Sequence, residues 1–275
     1  CVLHRCILTG NTAESSGGGA YESTLSNCLL TGNTARIGGG AASSTLSNCL
    51  LTGNAAERVG GASRSTLSNC TVAGNSAEGW WGVGGVGGVD YCTLWNCIVS
   101  DNSGSYYNNY YDSNFMYSCS YPLPDGEGNI SAVPGFIDAA NGVYHLRLGS
   151  PCIDAGSNEY VQEGDTDLAG DERVGNEMVD MGAYERNTDE FIVLGKVQGR
   201  GKISPQTASM PPGGSVTFTA EETVARFLCF QIAGATVSTM PSFSWNEIEA
   251  DGVITAVFAP AVLHVDATRP DDNGD

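Results

Sequence analysis

Positive charge is scarce in this chain: 12 Lys and Arg stand against 31 Asp and Glu, a formal net charge of −19. Nucleic acid and anionic membrane surfaces are both recognised by clustered cations, so neither is an expected partner. No apolar run approaches the ~18 residues of a membrane-spanning helix, which argues against direct membrane insertion of this segment. Histidine is sparse: His4, His145 and His264 lie far apart, and the metal-ligand spacings C-x-x-C and H-x-x-x-H are absent. An initiator Met and a secretory leader are also missing, and Cys1 opens in mid-pattern, so the chain is expected to be a slice of a longer protein.

What the sequence does hold is glycine and register. Thirty-seven glycines and 41% hydrophobic residues against 16% charged point to a turn-rich β chain with ample core. The unit Ser-Thr-Leu-Ser-Asn-Cys-Leu-Leu-Thr-Gly-Asn at residues 23–33 returns at 44–54 and, as STLSNCTVAGN, at 65–75. Weaker copies are HRCILTGN from His4 and CTLWNCIVSDN from Cys92. Leu3, Leu25, Leu46, Leu67 and Leu94 form one column, spaced by 22, 21, 21 and 27 residues. Asn27, Asn48, Asn69 and Asn96 form a second, with Arg5 in the first copy; Asn11, Asn33, Asn54, Asn75 and Asn102 form a third.

A period near 21 also suits leucine-rich repeats, but those need more Leu per unit and a helical or extended return. Here the returns are glycine runs such as Gly38-Gly39-Gly40, which oppose helix. Short strands joined by turns fit better, with each coil hydrogen-bonding to the coils above and below. The expected fold is all-β: a right-handed parallel β-helix with coils of about 21 residues, continuous to about residue 104. Asn at a turn can pass amide hydrogen bonds from coil to coil, and glycine supplies positive φ.

Ten cysteines would ordinarily suggest disulfides. Cys6, Cys28, Cys49, Cys70 and Cys97, however, recur at one fixed point in each repeat. Strands ~4.8 Å apart hold parallel Cβ vectors slightly too far apart for a good disulfide, so reduced, stacked thiols acting as small apolar side chains are expected. Glu14, Arg36, Glu57 and Glu78 make a further column, which reads as a surface ion-pair ladder worth ~0–1 kcal/mol per pair rather than as paired catalytic acids.

Residues 117–158 (YSCSYPLPDGEGNISAVPGFIDAANGVYHLRLGSPCIDAGSN) and 166–186 (TDLAGDERVGNEMVDMGAYER) carry Gly128-Asn129-Ile130, Ser150-Pro151-Cys152-Ile153-Asp154-Ala155-Gly156 and Asp180-Met181-Gly182-Ala183-Tyr184-Glu185. These motifs resemble the ending of bacterial parallel β-helix surface proteins of the choice-of-anchor Q type. Val133-Pro134-Gly135-Phe136 departs from that family's usual Asp-Pro-Leu-Phe. The upstream coils are similar to those of polymorphic outer-membrane proteins. The resemblance implies a secreted or surface-displayed protein and assigns no catalytic residue.

Residues 190–260 read as a separate small β module, with an alternating strand at Gly213-Gly214-Ser215-Val216-Thr217-Phe218-Thr219-Ala220 and a hairpin-type signal around Asp251-Gly252. The module resembles bacterial internalin B-repeats, which serve as spacers. The organisation expected is therefore 1–189 as β-helix with a C-terminal capping region, 190–260 as the β module, and 261–275 as the start of a further repeat or a linker.

Function rests on few side chains. Glycan-cleaving β-helices need converging carboxylates, while the acids in these coils (Glu14, Glu22, Glu57, Glu78, Asp90, Asp101) are scattered. The expected role is a non-catalytic structural or adhesive module binding a glycan or a surface protein; the alternative is a carbohydrate-active β-helix enzyme, a polysaccharide lyase or glycoside hydrolase. Aromatic faces suit sugars or a protein partner, which makes Trp80, Trp81, Tyr106, Tyr107, Tyr110 and Tyr111 the candidate ligand contacts; the alternative is that the tryptophans fold back over the column and the tyrosines cover the end of the stack. No cofactor is expected beyond Ca²⁺, for which Asp165, Asp167 and Asp171 partly match a D-x-D-x-D-G loop, with Ala169 in the third ligand position.

Overall fold

The corners of the coils explain why the repeat spells what it spells. In the structure, a computed structural model that describes residues 1–79, 84–187, 189–223 and 225–260, Asn27, Asn48, Asn69 and Asn96 sit at φ of 52, 52, 50 and 52°. A left-handed conformation costs most L-residues about 1–2 kcal/mol, and Asn tolerates it best. Arg5 and Tyr117 hold the same corner in the first and last coils, at φ of 52 and 49°. Gly53, at φ 62°, turns a second corner. Gly40 answers a different need: a Cβ there would lie 2.7 Å from the Gly61 carbonyl oxygen of the next coil.

The chain divides into two compact units, Cys1–Asn187 and Thr188–Asp275. The first is a parallel β-helix whose coils present four faces. The first face stacks Val2–His4, Thr24–Ser26, Thr45–Ser47, Thr66–Ser68, Thr93–Trp95 and Asn114–Met116. The second stacks Ile7–Thr9, Leu29–Thr31, Leu50–Thr52, Thr71–Ala73, Ile98–Ser100 and Cys119–Ser120. Two-residue strands build the third, from Thr34–Ala35 to Ser103–Gly104, and the fourth, from Ala20–Tyr21 to Tyr110–Tyr111. All pairings between coils are parallel and in register, with Leu25 opposite Leu46, Leu46 opposite Leu67 and Leu67 opposite Leu94. Those leucines are fully buried, each contributing roughly 1.5–3 kcal/mol.

Two polar systems run through this core. Asn33 Nδ2 donates to Asn54 Oδ1 at 3.0 Å, Asn54 to Asn75 at 2.9 Å, and Asn75 to Asn102 at 2.9 Å. The second system is a relay of thiols and hydroxyls. Cys6, Cys28, Cys49, Cys70, Cys92 and Cys97 each donate through Sγ to the carbonyl two residues earlier. Cys49 Sγ accepts the Cys28 backbone N–H at 3.4 Å, and Cys70 accepts that of Cys49. Ser44 and Ser65 make the same two bonds on a parallel column. The thiols are thus more than the small apolar fillers expected: they satisfy a corner amide.

The segment after residue 121 seals the last coil, where Ile130 exchanges hydrogen bonds with Ser118 and Ser120, and then folds back along the second face. Phe136, Tyr144, Leu146, Met181 and Ala183 cover the outward side chains of Leu50, Ala73 and Ile98. The Ser157 backbone N–H donates to Asn96 Oδ1 at 2.8 Å, and Ala183 N–H donates to Thr71 Oγ1 at 3.0 Å. This covering explains why the repeat carries apolar residues on both sides of that strand. It is a flank as well as a cap.

The second unit packs two sheets on one core. Five strands run in the order Thr207–Met210, Phe191–Gln198, Gly252–Phe258, Phe227–Ile232, Ala235–Ser238, and three in the order Gly201–Ser204, Gly214–Glu222, Ser242–Ile248. Phe218 and Ile248 from one sheet meet Phe230 and Ile254 from the other. The expected hairpin at Asp251-Gly252 does not form. Ser242–Ile248 pairs with Gly214–Glu222, whereas Gly252–Phe258 crosses to pair with Phe191–Gln198 and Phe227–Ile232. Asp251 Oδ1 accepts the Ile192 N–H at 2.8 Å, so the turn signal serves a sheet-to-sheet crossing instead. Residues 261–275 lie outside the described residues.

Candidate ligand cleft

On the fourth face, Val89–Asp90 pairs with Tyr110–Tyr111, placing Asp90 opposite Tyr111 and above Ser63. Side chains alternate along a strand. Val89 and Tyr110 accordingly turn to the core, and Asp90 and Tyr111 turn outward. Tyr91 follows at a left-handed corner with φ 48°. Tyr107 is bridged to Val86 of the coil beneath, whose N–H donates to the Arg58 carbonyl at 2.8 Å. Three successive coils therefore deliver Arg58, Asp90 with Tyr91, and Tyr106, Tyr107 and Tyr111 to one cleft of about 540 Å³.

The rings form a connected wall. Tyr106 meets Tyr107 edge-on with centroids 4.7 Å apart, Tyr107 lies 5.0 Å from Tyr111, and Tyr111 lies 5.8 Å from Tyr91. All four are exposed, whereas Asp90 retains only 6% of its surface. Among the described residues, Asp90 Oδ1 has no hydrogen-bond partner. Burial raises the Asp90 carboxyl above its ordinary value, while Ser63, Arg58 and Arg64 pull it down. A recessed acceptor beside exposed π faces can take a hydroxyl-rich ring, stacking it on tyrosine and accepting its O–H.

Of the expected ligand contacts, Tyr106, Tyr107 and Tyr111 are brought together. Tyr110 packs its ring against Phe115 at 4.9 Å, on the core side of the strand, and lines with the other three a separate cleft of about 450 Å³ that Asp90 does not reach. Trp80 and Trp81 lie outside the described residues. Arg58, Asp90 and Tyr91 were not singled out by the sequence. Their signal was the register of the two-residue fourth face, which a glycine-rich return conceals.

The acids of the proposed Ca²⁺ loop do not converge. Asp167 is buried, with Oδ1 accepting the N–H groups of Gly170 and Asp171 and Oδ2 that of Glu185. Asp165 Oδ2 accepts the Gln162 N–H at 3.0 Å. These carboxylates compensate loop amides and do not face a shared point. Among the described residues, no group of three His, Cys, Asp or Glu is arranged to hold a metal ion.

A second ionisable group is structural. Arg173 Nη2 donates to the carbonyls of Asp180 and Gly182 and lies 3.6 Å from Glu185 Oε1, all within the flank that covers the second face. Burial pushes Asp180 up to about 7 and Glu185 up to about 8. On the surface, Arg36 Nε pairs with Glu57 at 3.3 Å, both half-exposed.

Comparison of the chain with protein families, curated proteins and solved structures gives no match. Among the described residues, no helix is long and apolar enough to cross a membrane.

Proposed function

We propose that the chain is a non-catalytic structural and adhesive segment of a secreted or cell-surface bacterial protein, and that its tyrosine cleft holds a glycan. The observation that carries this reading is the buried Asp90 Oδ1, without a hydrogen-bond partner among the described residues, beside four exposed tyrosine rings. Sugar rings supply both an apolar face for tyrosine and hydroxyl donors for the carboxylate. Arg58 at the cleft edge adds a donor suited to a uronate or an acidic substituent. Asp90 is the single carboxylate among the described cleft residues, and paired-carboxylate glycoside hydrolysis needs two. The resemblance of residues 117–158 and 166–186 to surface β-helix endings supports the location.

The test is a glycan array probed with the chain and with a Tyr107→Ala, Tyr111→Ala variant. Binding to a defined set of glycans that the variant loses supports the reading. Unchanged binding by the variant, or release of reducing ends or unsaturated uronides from a bound glycan, contradicts it.

A further inference from the structure

Six cysteines of the β-helix have a fixed occupation, each thiol donating to the carbonyl two residues before it. Cys92 stands in the serine column, accepting the Ser65 N–H; the other five form one column, whose place in the last coil passes to Ser118, its hydroxyl accepting the Cys97 N–H and donating to the Met116 carbonyl. Cys119 stands one residue further on, opposite Ile98, and so points outward from the coil. It faces the covering segment, where Cys152 is packed in the same apolar cluster. Both side chains are fully buried. Cys119 Sγ donates to the Ala132 carbonyl at 3.4 Å, and each thiol is the other's foremost electrostatic neighbour.

The relay cysteines approach one another only as in-register neighbours in parallel strands, the separation least suited to a bond. Cys119 and Cys152 are not such neighbours: one lies on a strand of the last coil and the other in the turn at Pro151–Asp154 of the covering segment, in the same buried cluster. We infer that Cys119 and Cys152 are a cross-linking pair, joined by a disulfide when the chain folds in the presence of a low-molecular-weight disulfide.

The chemistry is thiol–disulfide exchange. One protein thiolate attacks a sulfur of the small disulfide and releases one small thiolate, leaving a mixed disulfide. The second protein thiolate attacks the protein sulfur of that mixed disulfide and releases the other. Two protein thiols are oxidised, one small disulfide is reduced to two thiols, and the two protons pass to the released thiolates. Because both sulfurs are buried in the closed structure, exchange takes place while the covering segment docks. The bond ties residue 152 to the last coil and pins the segment that seals it.

The full chain, unfolded and reduced, is refolded in a glutathione and glutathione-disulfide couple, alkylated under denaturing conditions and mapped by mass spectrometry. The expected result is one linked peptide pair carrying Cys119 and Cys152, with the remaining eight of the ten cysteines alkylated. Ten alkylated cysteines, or a link between two relay cysteines, overturns the inference. In parallel, reductant should lower the melting temperature of the refolded chain and leave that of a Cys119→Ser, Cys152→Ser variant unchanged. An equal drop in both overturns it as well.

Discussion

Asn54 and Asn75 share one oxygen twice: the backbone N–H of Asn54 donates to Asn75 Oδ1 at 3.0 Å, and its side-chain amide donates to the same atom at 2.9 Å. The other Asn54 amide hydrogen reaches the Leu30 carbonyl at 2.9 Å. Both donors and the acceptor of each buried rung are thereby satisfied, which is what permits an amide in a core. Asn54→Leu leaves the Asn33 N–H and one hydrogen of the Asn33 side-chain amide without an acceptor, the other still reaching the Leu8 carbonyl, and takes from the Leu30 carbonyl the amide hydrogen of Asn54. At ~1–3 kcal/mol per stranded group, the expected loss is about 3 kcal/mol or more. Denaturant unfolding of the variant reads it, and a loss below about 1 kcal/mol would remove the ladder from the account.

The relay predicts an unusual order of substitutions at Cys49. Ser keeps a donor and acceptor at the corner, as Ser118 does in the last coil, whereas Val strands the Cys28 N–H that Cys49 accepts. Cys49→Ser should therefore be tolerated better than Cys49→Val, by ~1–2 kcal/mol. If the thiol were only an apolar filler, the order would reverse. Thermal unfolding of the two variants distinguishes these cases.

Tyr107 and Tyr110 separate ligand contact from core. Tyr110→Ala removes a ring packed on Phe115 and should cost about 2–4 kcal/mol of stability. Tyr107→Ala, at the exposed wall of the cleft, should leave the melting temperature nearly unchanged while weakening glycan binding. Equal destabilisation by both would place Tyr107 in the core.

Stability should fall as pH rises through neutrality. Burial raises Asp180 from 3.8 to about 7 and Glu185 from 4.5 to about 8, and Asp90 and Asp167 are displaced upward for the same reason. A carboxyl raised on folding makes the native state hold more protons than the unfolded chain. Its stabilising effect is therefore present below the unfolded pKa, near 4, and is lost as pH climbs toward the folded value. Between about pH 5 and pH 8 the expected loss is on the order of 2–4 kcal/mol. Asp180→Asn, which keeps an acceptor for the Asp154 N–H, should flatten the profile. A melting temperature that rises from pH 5 to pH 8 contradicts this assignment.

The coil was legible because burial repeats with the chain's own period. Leu46 and Cys49 recur in each unit, and their columns fix the register of the first two faces without any structure. The Asn27 and Asn54 columns were equally visible, but their distinct roles were not: one Asn tolerates a left-handed corner and the other fills a buried amide ladder. That Tyr110 packs on Phe115 was not legible, because four near-identical aromatics hide which ones alternate inward. Asp90 was passed over as one of several scattered acids, since a two-residue strand gives no periodicity from which to learn its neighbours. The Asp251-Gly252 signal was local and the sheet crossing is not. Asp167 looked like a metal ligand in a short motif, yet its oxygens are taken by amides of its own loop and of Glu185.

The most direct test of the central claim is a crystal structure of the chain soaked with the glycan that it binds best on the array. The cleft account predicts a sugar ring in van der Waals contact with Tyr107 or Tyr111 and a hydroxyl within hydrogen-bond distance of Asp90 Oδ1. A glycan bound at any other surface, with that oxygen still unpartnered, would contradict it.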